Sequence, residues 1–154
     1  MDTSVTIIGV VIALFIAVPL FYMFRSHAAN NAKIKTIFDR YGSFSFDLSD
    51  TQNKKTLALD EKNKGFVFID FNTIPEEVFF VNLNDVSAVK TVPTTQENST
   101  AVVKIEFEFT YKNHKKENIP FYTIEKDQIG QVYLYEDQQL AKKWEHLITR
   151  SILS

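Results

Sequence analysis

The chain has 154 residues, a net charge of −2, fourteen Phe, six Tyr and no cysteine. That length allows one domain plus an anchor rather than two full domains, and the missing cysteine excludes disulfides and thiolate metal sites. From Gly42 onward 13 Lys and Arg face 17 Asp and Glu, the wrong sign for a general phosphate-binding surface, so nucleic acid is not an expected partner.

In chain order, Met1–Ser4 reads as a short segment outside the membrane. Val5–Phe24 (VTIIGVVIALFIAVPLFYMF) then runs without a formal charge. As a helix it covers about 30 Å, the thickness of a bilayer's hydrocarbon core, and a lone segment can satisfy its amides there only as a helix. Pro19 lies inside the span, where it is tolerated and bends the axis slightly. No positive residue precedes the span, and Arg25, Lys33, Lys35 and Arg40 follow it against Asp39. The positive-inside rule therefore puts the C-terminal side in the cytoplasm. A cleaved signal peptide is the rival reading, but its apolar core is usually only ~7–15 residues.

Residues 25–41 read as a basic helix or linker leaving the membrane. Ile34, Ile37, Phe38 and Tyr41 share one face, and Gly42 ends the run. Two uses of that face stay open: packing on the following domain, or lying on the membrane with its cations on anionic headgroups.

From Ser43 the period changes to two. Phe44, Phe46 and Leu48 alternate with polar residues and predict a half-buried strand. Thr56–Asp60 and Gly65–Phe71 predict a hairpin across a polar turn, the second strand being apolar on both faces and so central or covered. Glu77–Leu83 is a further strand, Asn84-Asp85 a turn, and Val86–Val92 a strand whose imperfect alternation suggests a bulge. Pro93–Thr100 reads as a loop; its Asn98-Ser99-Thr100 triplet fits a glycosylation acceptor but has no use on a cytoplasmic face. Ala101–Tyr111 alternates cleanly, with Val103, Ile105, Phe107, Phe109 and Tyr111 on one side. The loop Lys112–Asn118 leads to Ile119–Tyr122, where Pro120 implies an edge strand. Val132–Tyr135 predicts a last short strand. A closing helix starts at Glu136 and Asp137, with Leu140, Trp144, Leu147, Ile148 and Ile152 forming a stripe built to dock.

Chemistry is sparse. The four glycines are scattered, and His27, His114 and His146 lack ligand-spaced partners. The pairs Glu76-Glu77, Glu106/Glu108 and Glu136-Asp137 each have a structural explanation. No catalytic residue, metal or cofactor is expected, and a small-molecule ligand is not expected either. The loop carrying Lys112, His114, Lys115 and Lys116 is either a solvated hairpin tip or a contact for an anionic surface. A groove beside the closing helix has room for an extended peptide to add as a strand.

The order of short antiparallel strands and one closing helix resembles the pleckstrin-homology-like (PH-like) fold. The likeness rests on the hairpin from Leu57-Ala58-Leu59-Asp60 to Phe71, the Asn84-Asp85-Val86 turn, and Trp144 in the last helix. It covers about Gly42 to Leu153 and looks like the membrane-anchored bacterial members of that superfamily. The resemblance implies a partly open barrel of about seven strands, two bent sheets nearly orthogonal, with the helix plugging one corner. Phosphoinositide binding does not carry over, because Ser43–Asp60 offers only Lys54 and Lys55 beside Asp47 and Asp50. The expected protein is thus a single-pass anchor (residues 5–24) holding a cytoplasmic PH-like domain (residues 42–154) at a bacterial inner membrane. It is expected to bind a protein partner. The alternatives are a peripheral reader of anionic lipid, using Arg25, Lys33, Lys35, Arg40, Lys112, Lys115 and Lys116, or an accessory subunit of a larger membrane complex.

Overall fold

The first element, α1, is one unbroken helix over Thr3–Arg40 that runs straight through Pro19. It belongs to a computed structural model that describes residues 3–127 and 131–154. The chain divides into two units, Met1–Gly42 and Ser43–Ser154. Every described side chain from Val5 to Phe24 is exposed, and the helix is long and apolar enough to cross a membrane. The anchor and the basic stretch after it are therefore a single helix. It ends where Tyr41 N donates to Phe38 O at 2.9 Å, just before Gly42, as glycine after a helix commonly does.

The second unit holds two antiparallel sheets and one helix. Strands β1 (Leu48–Gln52), β2 (Lys55–Asp60), β3 (Gly65–Asp70) and β4 (Glu77–Asn82) form the first sheet in sequence order. Strands β5 (Val86–Thr95), β6 (Val102–Tyr111) and β7 (Lys116–Thr123) form the second. A 3-10 turn at Leu83–Asp85 joins them, and α2 spans Leu134–Leu153. Among the described residues no strand pairing joins one sheet to the other. The expected partly open barrel is thus replaced by two open sheets.

The expected strand from Ser43 is also corrected, for β1 starts only at Leu48. Ser45 N donates to the Asp60 carboxylate at 2.7 Å, so this amide is spent on a side chain instead of a ladder. Phe44 lies on Phe80 with ring centroids 5.0 Å apart. Asn53 and Lys54, with φ of 50° and 59°, make the two-residue hairpin turn between β1 and β2. β3 sits between β2 and β4, and both β2 and β3 are buried along their whole length, as two apolar faces require. The bulge expected in β5 lies between Val86 and Ala88. The same strand runs on to Thr95, through Pro93 and into the expected loop; at a sheet edge a missing ladder donor is tolerated. Pro120 does sit in an edge strand, β7, which begins at Lys116 within the expected loop.

Val132–Tyr135 is not a strand. Residues 132–133 turn and α2 begins at Leu134, because Tyr133 N is held by the Asp127 carboxylate at 3.2 Å. The helix stripe docks as expected: Leu140, Trp144 and Ile148 are buried, with Leu147 and Ile152 packed against the same core. That core is aromatic. Phe66 meets Phe107, Phe109 and Trp144 at centroid distances of 6.2, 5.8 and 6.1 Å, the offset range such rings prefer.

Two side chains fix the β2–β3 hairpin. Phe44 lies so close over Gly65 that a Cβ there would meet its ring at 2.4 Å. Asp60, fully buried, accepts from Asn63 N at 2.8 Å and Asn63 Nδ2 at 2.6 Å besides Ser45 N. Burial alone would push its carboxyl up, but hydrogen bonds from Asn63, Ser45 and Lys62 outweigh it and hold it below 3.8. A depressed folded value means stabilisation that is full above about pH 4 and lost as pH falls through that value. Denaturation midpoints taken between about pH 5 and pH 2 should therefore fall less steeply in Asp60→Asn than in the parent; equal slopes would remove Asp60 from the acid response. Gly65→Ala should cost about 1–3 kcal/mol by overpacking. The cost should shrink in a Phe44→Ala background, as denaturant unfolding of the four chains would read.

Candidate functional site

The cations expected to meet an anionic surface are dispersed. On α1, Arg25 directly follows the apolar run, while Lys33, Lys35 and Arg40 stand about 12, 15 and 23 Å further along the axis at 1.5 Å per residue. The headgroup layer adds only about 5–7 Å to each side of the hydrocarbon core, and the Debye length at physiological salt is about 8 Å. A helix standing upright therefore keeps only Arg25 at the headgroups.

At the β6–β7 tip part of the positive charge is spent within the domain. Lys116 pairs with Glu108 at 3.0 Å and Lys90 joins the same carboxylate at 3.2 Å. The Glu108 carboxyl is held low by those two lysines, Lys116 first. Asp85 and Glu117 share a surface recess with Tyr111, Lys112 and Lys115. The Tyr111 phenol is pushed up to about 12 by burial and then by its bond to Glu117. Lys116 is thus paired, while Lys112 and Lys115 stay exposed beside Asp85 and Glu117.

The groove on the β5 side of α2 is guarded. Glu145, read from sequence as lying outside the stripe, accepts from Thr91 N at 2.7 Å and Thr91 Oγ1 at 2.5 Å. Thr91 N therefore points away from β6, and strand alternation turns Val89 and Pro93 the same way. One outward amide is taken and the next is proline. Little remains there for a peptide to pair with.

The best-formed recess lies where the β1–β2 turn, the end of β7 and the start of α2 converge. It has a volume of about 120 Å³, and its walls include Asn53, Lys54, Lys55, Phe121, Thr123, Lys126, Asp127, Tyr133 and Asp137. Lys55 and Asp137 form an ion pair at 2.7 Å, their side chains 7% and 0% exposed. Asn53 Nδ2 donates to the other Asp137 oxygen at 2.9 Å, and the Lys55 ammonium stands 5.7 Å from the Phe121 ring centroid. Lys126 bridges Asp70 and Glu77 at 2.9 and 3.0 Å. Its ammonium is lowered by burial but raised more by those two carboxylates, the net direction being upward. Asp127 Oδ2 accepts from the Tyr122 hydroxyl at 3.1 Å and from Tyr133 N. The Tyr122 phenol is pushed up to about 12, by burial first and then by Asp127. Asp127 Oδ1 and Thr123 Oγ1 are buried, with no hydrogen-bond partner among the described residues. Gln128, Ile129 and Gly130 lie outside the described residues.

None of this constellation was named from sequence. Lys54 and Lys55 had been considered only as phosphate ligands, and Asp137 only as a helix-start charge. Nothing in their local pattern marks Asp137 as buried, since its partner is 82 residues away. Among the described residues no group of three His, Asp or Glu is placed to hold a metal ion. No protein-family model matches the chain, and no curated protein or solved structure shows significant similarity to it.

Breaking a buried pair strands a charge, so Asp137→Ala should cost about 3–5 kcal/mol. The double change Lys55→Met with Asp137→Leu, which strands nothing, should cost less than Asp137→Ala alone. Urea unfolding reads both, and an equal or larger loss in the double variant would show that the pair is not a coupled unit.

Proposed function

We propose that this protein is a single-pass, membrane-anchored binding or scaffolding module whose PH-like domain recognises a protein partner from the cytoplasmic face of a bacterial inner membrane. The observation that carries the reading is the fusion of one long helix, exposed along its apolar stretch Val5–Phe24, to a β-rich unit with its own core. Twenty apolar residues outside any protein interior belong in lipid. Two sheets followed by a helix with Trp144 at its centre support the PH-like reading, as does the 3-10 turn at Asn84-Asp85.

A protein partner is favoured over a lipid surface by the kind of groups left exposed. Ile74 is fully exposed, and Val132 and Tyr135 just ahead of and within the start of α2 are exposed as well. Protruding apolar and aromatic side chains are what protein interfaces bury, whereas the cations of α1 are spread along the helix and Lys116 is paired with Glu108, leaving few for an anionic lipid surface.

The full-length chain should stay in the pellet after carbonate extraction of bacterial membranes. Its C-terminal unit should resist protease added to intact spheroplasts and be digested once they are opened. A chain that washes off, or a tail cut from outside, ends the anchored cytoplasmic reading. Salt-sensitive sedimentation of residues 43–154 with anionic vesicles would replace the protein partner by lipid.

A further inference from the structure

The outer edge of β1 is open. The two-residue turn at Asn53-Lys54 closes on the Gln52–Lys55 pair, so Leu48, Asp50 and Gln52 bond to β2. The amides of Ser49 and Thr51 then point away from β2. Both residues are exposed, and neither amide meets another group among the described residues. Beside this edge runs a groove of about 350 Å³, its walls including Asp50, Thr51 and Gln52 and, from α2, Glu136, Gln139 and Lys143. The three helix residues are exposed and share one face at i, i+3 and i+7. Their contacts fix how helix and strand align. Glu136 accepts from Gln52 Nε2 at 3.3 Å and from Asn53 Nδ2 at 3.2 Å, and Lys143 donates to Asp50 at 2.7 Å. The helix therefore carries a carboxylate on one side of Thr51 and an ammonium on the other. Glu136 has no ion-pair partner among the described residues, and an ammonium with three donors can serve a second carboxylate besides Asp50.

We propose that β1 pairs with β1 of a second copy of this chain, antiparallel across a twofold axis at Thr51, so that two four-stranded sheets become one. That axis exchanges the two sides of Thr51. Glu136 of each copy then faces Lys143 of the other, and Gln139 faces its own counterpart. Such a surface is complementary to itself, as a closed twofold interface requires. Strand and helix agree on where the axis lies. Pairing about Thr51 sets Asp50 against Gln52, whereas an axis at Asp50 would set two carboxylates directly opposite, which is destabilising. An axis at Gln52 would oppose two Glu136 side chains, and one at Ser49 would bring two Lys143 side chains together. A foreign peptide would need a cation for Glu136 and an anion for Lys143 at matching positions; a second copy carries both in that order. With only five residues in β1 the pairing is weak in dilute solution, and confinement by the anchor proposed above strengthens it. The dimer rests on the anchored reading for concentration alone.

The chain has no cysteine, so a single introduced one reports the register. In bacterial membranes holding the full-length chain and oxidised with copper–phenanthroline, Thr51→Cys should give a disulfide-linked band of twice the chain mass. At a hydrogen-bonded pair the two Cα atoms stand about 5.5 Å apart, within disulfide reach. Ser49→Cys, roughly 14 Å from its counterpart about the same axis, should cross-link at least tenfold less. Adding Glu136→Lys to Thr51→Cys sets like charges opposite and should cut the yield about fivefold. Trp144 emission reports whether that variant folds; if it does not, the comparison of Thr51→Cys with Ser49→Cys decides. No cross-link at Thr51→Cys, equal yields at the two positions, or a yield unchanged in folded Glu136→Lys would each overturn the proposal. A linked band of another mass would overturn it too, giving β1 to a different protein. Carbonate extraction of the same membranes reads the anchor separately: a chain that washes off yet cross-links at Thr51→Cys keeps the dimer and loses the anchor.

Discussion

The indole of Trp144 is the point on which the domain's closure turns. It has no solvent exposure, packs on Phe66, and still satisfies its only polar atom, Nε1 donating to Asp50 at 2.9 Å. Two open sheets of four and three strands cannot cover their own aromatic interior. One amphipathic helix supplies the missing surface. Burying a Trp at that seam contributes several kcal/mol only because Asp50 removes the penalty of an unpaired N–H. Lys143 binds the same Asp50 carboxylate at 2.7 Å, so its charge is met where α2 crosses β1.

Polar pairing then does a different job from apolar packing. Trp144, Leu140 and Ile148 give α2 its affinity for the core, but an oily stripe tolerates sliding by a turn. Lys55–Asp137 and Glu145–Thr91 do not, because a shift of one helical turn would strand a buried carboxylate. Ion pairs of this kind are weak evidence for net stability and better evidence for register. The recess beside them follows from the same arrangement. A helix start fixed by Asp137 on one side and by Asp127 at Tyr133 N on the other cannot collapse onto the β1–β2 turn.

This division explains what could be read in the amino-acid order. Apolar periodicity is local, so the anchor, the alternation of β6 and the docking stripe of α2 were all legible. Errors fell where a side chain intercepted the backbone. Phe44–Asp47 alternates like a strand, yet Ser45 N goes to Asp60; Val132–Tyr135 has strand composition, yet Asp127 captures Tyr133 N. The first strand was misplaced for a related reason: Asn53-Lys54 lacks the glycine that announces a two-residue turn. Charge partners 54 to 94 residues apart, such as Glu145 with Thr91 and Trp144 with Asp50, leave no local trace. The candidate recess is made almost wholly of such pairs, which is why it was invisible beforehand.

The sheet edges suit the tethering proposed above. Tethering by an apolar helix raises the local concentration at which a domain meets its own copies, and an unpaired strand edge is an invitation to associate. β5 meets that hazard with Glu145 on its Thr91 amide and with Pro93. β7 meets it with Pro120 and a register shift opposite Ile105 and Glu106. β1 is less guarded than either, since the turn at Asn53-Lys54 directs Ser49 and Thr51 away from β2. It is also only five residues long, too short for a stable added strand without side-chain anchors. Any partner that pairs there must therefore gain most of its affinity from side chains seated on α2 or on the exposed residues around the recess, rather than from the ladder.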